Sequence, residues 1–138
     1  NRHWVYFPQP DPPFFRVGFF HNFSPYMAPL GKGSLYAEVS YSKESPLDRA
    51  AVSMRVEDDL KRIGVLSGNA ARIAVRDTID IKYGYPLYDT NYNQARSRIL
   101  EYLEARNVLS CGRYGSWRYM SMEDVLLEPM RLPVKVLE

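Results

Sequence analysis

Two arginines and two tyrosines spaced around a pair of glycines make residues 112–124 the stretch best suited to chemistry: Gly112-Arg113-Tyr114-Gly115-Ser116-Trp117-Arg118-Tyr119-Met120-Ser121-Met122-Glu123-Asp124. The apolar run Asn107-Val108-Leu109-Ser110-Cys111 before it reads as a buried strand, and Val125-Leu126-Leu127 after it as the opening of a helix. Glycines at 112 and 115 allow φ > 0 or a close approach to a ligand. The first N–H groups of the helix have no internal partner, so its start attracts anionic or acceptor groups. Ser121 with Asp124 three residues on is a capping-box pair that sets the helix start at Met122. Taken alone, the same pattern also describes an ordinary capped helix after a tight turn.

The elements that must position this loop follow from periodicity. Residues 3–7 and 14–20 are aromatic-rich runs separated by Pro8-Gln9-Pro10-Asp11-Pro12-Pro13, which predicts two strands joined by a stiff loop. Arg16 lies within the second run; alternation alone could point it to solvent. Leu35, Ala37, Val39 and Tyr41 alternate with Tyr36, Glu38 and Ser40, a strand with one buried face. Residues 43–53 read as a linking loop and 54–66 as a helix, with Val56, Leu60 and Ile63 inward, Asp58 and Asp59 on a solvated face, and Gly68-Asn69 as the stop. Ile73, Val75, Ile79, Ile81 and Tyr83 alternate with polar residues and predict a further strand, which leads into Gly84-Tyr85-Pro86. Asp89 or Thr90 caps a helix with Tyr92, Ala95, Ile99, Tyr102 and Leu103 on its apolar side and Arg96, Arg98, Glu101 and Glu104 outside. Pro129 and Pro133 interrupt the final helical pattern.

Composition narrows the function. The length of 138 residues fits one domain with a moderate core, and 46% hydrophobic with 25% charged residues is the balance of a globular chain. The 11 Tyr, six Phe and two Trp exceed what a core of this size needs and suggest a pocket or interface. A net charge of +2, with 16 acids interspersed among 18 Lys and Arg, leaves no basic stripe for nucleic acid. Cys111 is the sole cysteine and cannot form an internal disulfide; His3 and His21 give no metal-ligand spacing, so no metal is expected. No signal peptide and no apolar run of membrane-spanning length is visible, and a cytoplasmic chain is expected. Gly31-Lys32-Gly33 lacks the rest of a phosphate-loop motif.

Gly112-Arg113-Tyr114-Gly115-Ser116-Trp117-Arg118-Tyr119 resembles the C-terminal flavin-contacting motif of UDP-galactopyranose mutases and of related flavin-containing amine oxidase and protoporphyrinogen oxidase-like proteins. Four further blocks occur in that family's order: His3-Trp4-Val5-Tyr6-Phe7-Pro8, Pro13-Phe14-Phe15-Arg16-Val17, Asn22-Phe23-Ser24-Pro25 with Met27-Ala28-Pro29, and Tyr83-Gly84-Tyr85-Pro86-Leu87-Tyr88-Asp89. The resemblance implies an α+β fragment of a two-domain flavoprotein: a mainly antiparallel sheet of four to five strands with two to three helices. It implies a substrate-domain portion over residues 1–106, a flavin-contacting strand–loop–helix over 107–128 and a tail over 129–138 that departs from the family.

By matching position, the resemblance implies substrate contacts at Tyr6, Arg16, Tyr85, Arg113 and Tyr119, and cofactor contacts at Gly112, Arg113, Ser121 and Met122. A guanidinium suits a sugar-nucleotide diphosphate because its planar fork matches phosphate oxygens. FAD is the implied cofactor of the longer parent. Its Gly-x-Gly-x-x-Gly turn is absent here, so a dinucleotide-binding domain of the same chain is the implied partner. The implied function is a mutase acting on a sugar nucleotide in cell-surface polysaccharide synthesis, with the isolated fragment inactive and no residue of it catalytic. The alternatives are a fragment of an amine oxidase or protoporphyrinogen oxidase-type hydride-transfer enzyme, and a cofactor-free α+β binding module. Ser121 stands where many bacterial mutases carry aspartate, which weakens the mutase reading relative to the flavoprotein reading.

Overall fold

In the computed structural model, residues 2–67 and 72–132 are described. They form three β-strands and four α-helices, divided into two compact units, Asn1–Ile79 and Asp80–Glu138. The fold is α+β, as expected, with fewer strands and more helices than the sequence pattern predicts.

Unit 1 is built on an antiparallel sheet of order β1-β2-β3, comprising β1 (Trp4–Tyr6), β2 (Phe14–Phe19) and β3 (Leu35–Val39). The proline-rich segment joins β1 to β2 as predicted. Register places Tyr6, Arg16 and Glu38 side by side in one row, and Trp4, Gly18 and Tyr36 in the next, all on one face. The Tyr36 ring lies directly over Gly18, where a Cβ would meet it at 2.2 Å. Strict alternation would put Phe14 on that face as well, but a register irregularity between Phe14 and Arg16 turns Phe14 to the opposite side. There Phe14 and Val17 are fully buried and pack with Leu60 of α1 (Arg49–Arg62).

Helix α1 starts earlier than predicted, within the supposed linking loop, because Asp48 accepts the N–H groups of Ala50 and Ala51 and supplies an N-cap. It also ends earlier. Gly64 takes φ 78° while its N–H reaches Lys61 O and that of Val65 reaches Leu60 O, a Schellman closure. Gly68-Asn69, the predicted stop, lies outside the described residues. Val56 and Ile63 face the core as expected, but Asp59 is buried rather than solvated. Its carboxylate binds Arg62 at 2.7 Å, and Arg62 and Arg55 both reach Asp11 of the proline-rich loop.

The strand expected over residues 73–83 does not form. Its apolar side chains have no partner strand among the described residues, and Val75, Ile79 and Ile81 are 85%, 76% and 63% exposed. Alternation defines two faces, but a strand also needs a neighbouring ladder. Glu57 of α1 pairs with Arg76, which ties the segment to the helix.

Unit 2 holds α2 (Tyr92–Glu104), the short α3 (Gly112–Gly115) and α4 (Met122–Arg131). Asp89 sets up α2 by accepting the N–H of Asn91, although neither Asp89 nor Thr90 is the cap residue; Asn91 is. The strand expected at Asn107–Cys111 is missing because Asn107 takes a left-handed φ of 60° and Val108 N–H turns back to Leu103 O. The expected glycine turn is instead the helical turn α3. Helix α4 continues past Pro129: in the last turn a proline removes one bond, and the chain leaves the helix two residues later. No described helix is long and apolar enough to cross a membrane.

Candidate functional site

Tyr83, Tyr85, Tyr114, Trp117 and Tyr119 gather around the loop of residues 112–121. Gly112 opens α3 at φ 79°, a conformation that a side chain would strain. Arg113, the next residue, extends across the loop, where its two terminal nitrogens donate to Gly84 O at 3.1 Å and Met120 O at 3.4 Å. The guanidinium carbon lies 5.0 Å from the Tyr85 ring centre and 4.9 Å from that of Tyr119, and those rings are within 15° of parallel, 6.2 Å apart. Arginine beside two electron-rich rings is a stable cation–π arrangement. Among the described residues no carboxylate lies in ion-pair range of Arg113. Three of the five predicted substrate contacts, Tyr85, Arg113 and Tyr119, therefore converge.

The other two lie together in unit 1. Arg16 pairs with Glu38, its Nε donating to Oε1 at 2.8 Å, and it also donates to the Tyr6 hydroxyl at 3.3 Å. The Tyr6 and Tyr36 rings flank it, at 5.7 and 5.8 Å. Arg16 thus neither points freely to solvent nor offers an uncompensated charge.

The start of α4 follows the sequence reading closely. Ser121 is the N-cap of a complete capping box, and Asp124 accepts both its N–H and its hydroxyl at 2.8 and 2.7 Å. Both donors of Ser121 are therefore committed, and the N–H groups of Met122 and Glu123 are those of the first turn left without a protein acceptor among the described residues. These bonds from Ser121 hold the Asp124 carboxyl below its usual range, with Arg118 and Arg131 adding to the effect. A depressed folded value contributes stability above the ordinary carboxylate pKa and loses it as pH falls through the folded value. Ser121→Ala is expected to destabilise α4 by about 1 kcal/mol at neutral pH. The gap between variant and wild type should narrow as pH falls below the ordinary carboxylate range and Asp124 protonates, measured from urea midpoints of α4 amide signals.

Several residues that hold the loop escaped the sequence reading. Glu128 of α4 accepts Gly112 N–H at 2.5 Å, the Ser116 hydroxyl at 2.8 Å and Arg118 at 2.5 Å. Burial pushes its carboxyl up, but these bonds outweigh that and hold it below the usual range. From α2, Tyr92 donates to Trp117 O at 2.5 Å and Arg96 to Ser116 O at 2.6 Å, while Tyr88 accepts Tyr119 N–H at 2.8 Å. Arg96, expected on the outer face, turns to the loop. The signal was present in spacing: Tyr92 and Arg96 stand four apart on α2, and Val125, Glu128 and Leu132 form the half-buried stripe of α4. A cavity of about 270 Å³ between α2 and residues 115–117 is lined by Leu87, Arg96, Ile99 and Trp117 but by none of the predicted site residues. The Arg113 cluster, with its uncompensated charge, is the better-defined site. Among the described residues no group of His, Cys, Asp or Glu could hold a metal ion.

No family profile matches the sequence. A crystal structure of reduced UDP-galactopyranose mutase is similar to the chain at 31% identity and a TM-score of 0.69, over 84% of this chain. The chain spans 25% of the length of that mutase.

Proposed function

We propose that this chain is part of a flavoenzyme of the UDP-galactopyranose mutase class, and that Arg113 with Tyr85 and Tyr119 binds the diphosphate of a sugar nucleotide. The observation that carries the reading is the Arg113 guanidinium beside two tyrosine rings with no carboxylate partner among the described residues, in a chain 31% identical to such a mutase. A planar donor fork beside aromatic rings suits phosphate oxygens next to a ring or sugar. Tyr6 and Arg16, proposed as further substrate contacts, form in unit 1 a hydrogen-bonded pair whose charge Glu38 already balances.

FAD is the proposed cofactor, bound jointly with a dinucleotide-binding domain of a longer parent chain. The residues fit one edge of it. The N–H groups of Met122 and Glu123 at the start of α4 suit the carbonyl acceptors of a flavin pyrimidine. Ser121 would position that helix start through its cap, and Gly112 would serve by its backbone shape, since Glu128 takes its N–H. When bound, the flavin supplies the reacting atoms, for sugar isomerisation or, in an oxidase-type relative, hydride transfer. This chain's residues supply position and charge neutralisation. The chain alone is proposed to bind ligand without turnover. A cytoplasmic setting, with neither nucleic acid nor metal as partner, belongs to the same proposal.

Titration with UDP and separately with FAD, followed by NMR, tests this. UDP is expected to shift signals of Tyr85, Arg113 and Tyr119 together. A chain that answers UDP only at residues remote from these would overturn the assignment of the site, and silence towards both ligands in a full-length parent would overturn the nucleotide reading.

A further inference from the structure

We infer that Glu128 is the positioning residue of the Arg113 site: from α4 it clamps the loop that carries Arg113 and Tyr119 and so holds both against Tyr85. The inference rests on the anion-binding reading for its functional meaning, but the clamp itself is independent of any ligand.

While Tyr88 accepts the Tyr119 N–H, two helices hold polar groups of the loop over residues 112–118. Its donors, Gly112 N–H and the Ser116 hydroxyl, go to Glu128 on α4. Its acceptors, the carbonyls of Ser116 and Trp117, go to Arg96 and Tyr92 on α2. Trp117 has a positive φ of 46°, unusual for a bulky residue, which requires restraint from its surroundings. Glu128 grips both ends of the strained segment, since Arg118 beyond Trp117 bonds the same oxygen as Ser116. Arg113 follows gripped Gly112 and Tyr119 follows gripped Arg118, so release of the carboxylate removes a restraint beside each and leaves Arg113 to its two carbonyls and Tyr119 to Tyr88. Ser116, almost fully buried, has no water with which to replace that bond.

The test compares Glu128→Gln, which removes the charge at nearly constant shape, with Glu128→Asp, which keeps it on a shorter stem. In the 138-residue chain, the glutamine variant is expected to lose about 10-fold in exchange protection at the Gly112 amide, with weaker NOEs from the Arg113 Hε to the Tyr85 and Tyr119 rings. Its UDP affinity should fall roughly 10-fold while α2 amides stay protected, and Glu128→Asp should recover part of each loss. Unchanged NOEs with the Gly112 protection lost would overturn the inference, because the loop would then hold its own shape. Should the glutamine variant also lose α2 protection, Glu128→Asp decides, and full NOEs with reduced Gly112 protection there would overturn it equally. A wild-type chain that ignores UDP would sink the anion reading alone, and the NOE and exchange results would still decide the clamp.

Discussion

Phe14→Ala is expected to destabilise unit 1 by about 3–5 kcal/mol, enough to unfold it partly near room temperature. Phe14 has no exposed surface and packs edge-on against Phe7, with ring centres 5.1 Å apart. It belongs to a small core, with Val17 from its own strand and Leu60 from α1. The sheet is attached to α1 largely through this contact, so a cavity here cannot be refilled by neighbours that are themselves half-exposed. Phe23, 44% exposed and stacked on His3 at 4.4 Å, serves as the control, and Phe23→Ala should cost less than about 1.5 kcal/mol. Urea melts read at α1 amides, with α2 amides as an internal reference, measure both. A Phe14→Ala cost similar to that of Phe23→Ala would refute the placement of the core beneath β2.

That core shows where sequence pattern suffices and where it does not. The alternation of Leu35, Ala37 and Val39 is legible because β3 has a partner to bond and one face to bury. The alternation over 73–81 looks cleaner, yet it yields no strand, since nothing in periodicity reports whether a neighbouring ladder exists. Alternation likewise assigns Phe14 to the face of Arg16, and only the irregularity between them, invisible in the sequence, separates core from site. The side-chain cap at Ser121 was legible, that at Asp48 was passed over, and the α1 end at Gly64, set by backbone conformation, was misplaced.

The site divides in the same way. The convergence of Tyr85, Arg113 and Tyr119 agrees with the motif order, because Gly112 and the α4 cap are local devices that fix the ends of the loop. Glu128, Tyr92 and Arg96 act on it from 10 to 25 residues away in sequence, and three of their five partners are backbone groups, which leave no trace in residue identity. The compensation of Arg16 by Glu38 depends on strand register, which sequence alone leaves open.

Arg113→Ala is expected to weaken UDP binding by about 100-fold, and Arg113→Lys by about 10-fold. Lysine keeps the charge and can reach one carbonyl, but it has no planar fork to bond Gly84 O and Met120 O together while lying beside two rings. The competing explanation is that Arg113 is only a tether between those carbonyls. In that case both variants would lower the stability of unit 2, yet the lysine variant would keep wild-type affinity whenever it remained folded. The two accounts also differ in salt dependence. If Arg113 bonds the diphosphate, wild-type affinity should fall as salt rises, and the alanine variant should show a shallower slope, because one charge fewer takes part. Calorimetric or NMR titration with UDP at two ionic strengths separates them. Equal slopes in wild type and Arg113→Ala would place the anion elsewhere, whereas a shallower slope with Tyr85 and Tyr119 shifts retained would put the charge of Arg113 on the phosphate and leave the tyrosines to hold the remainder of the ligand.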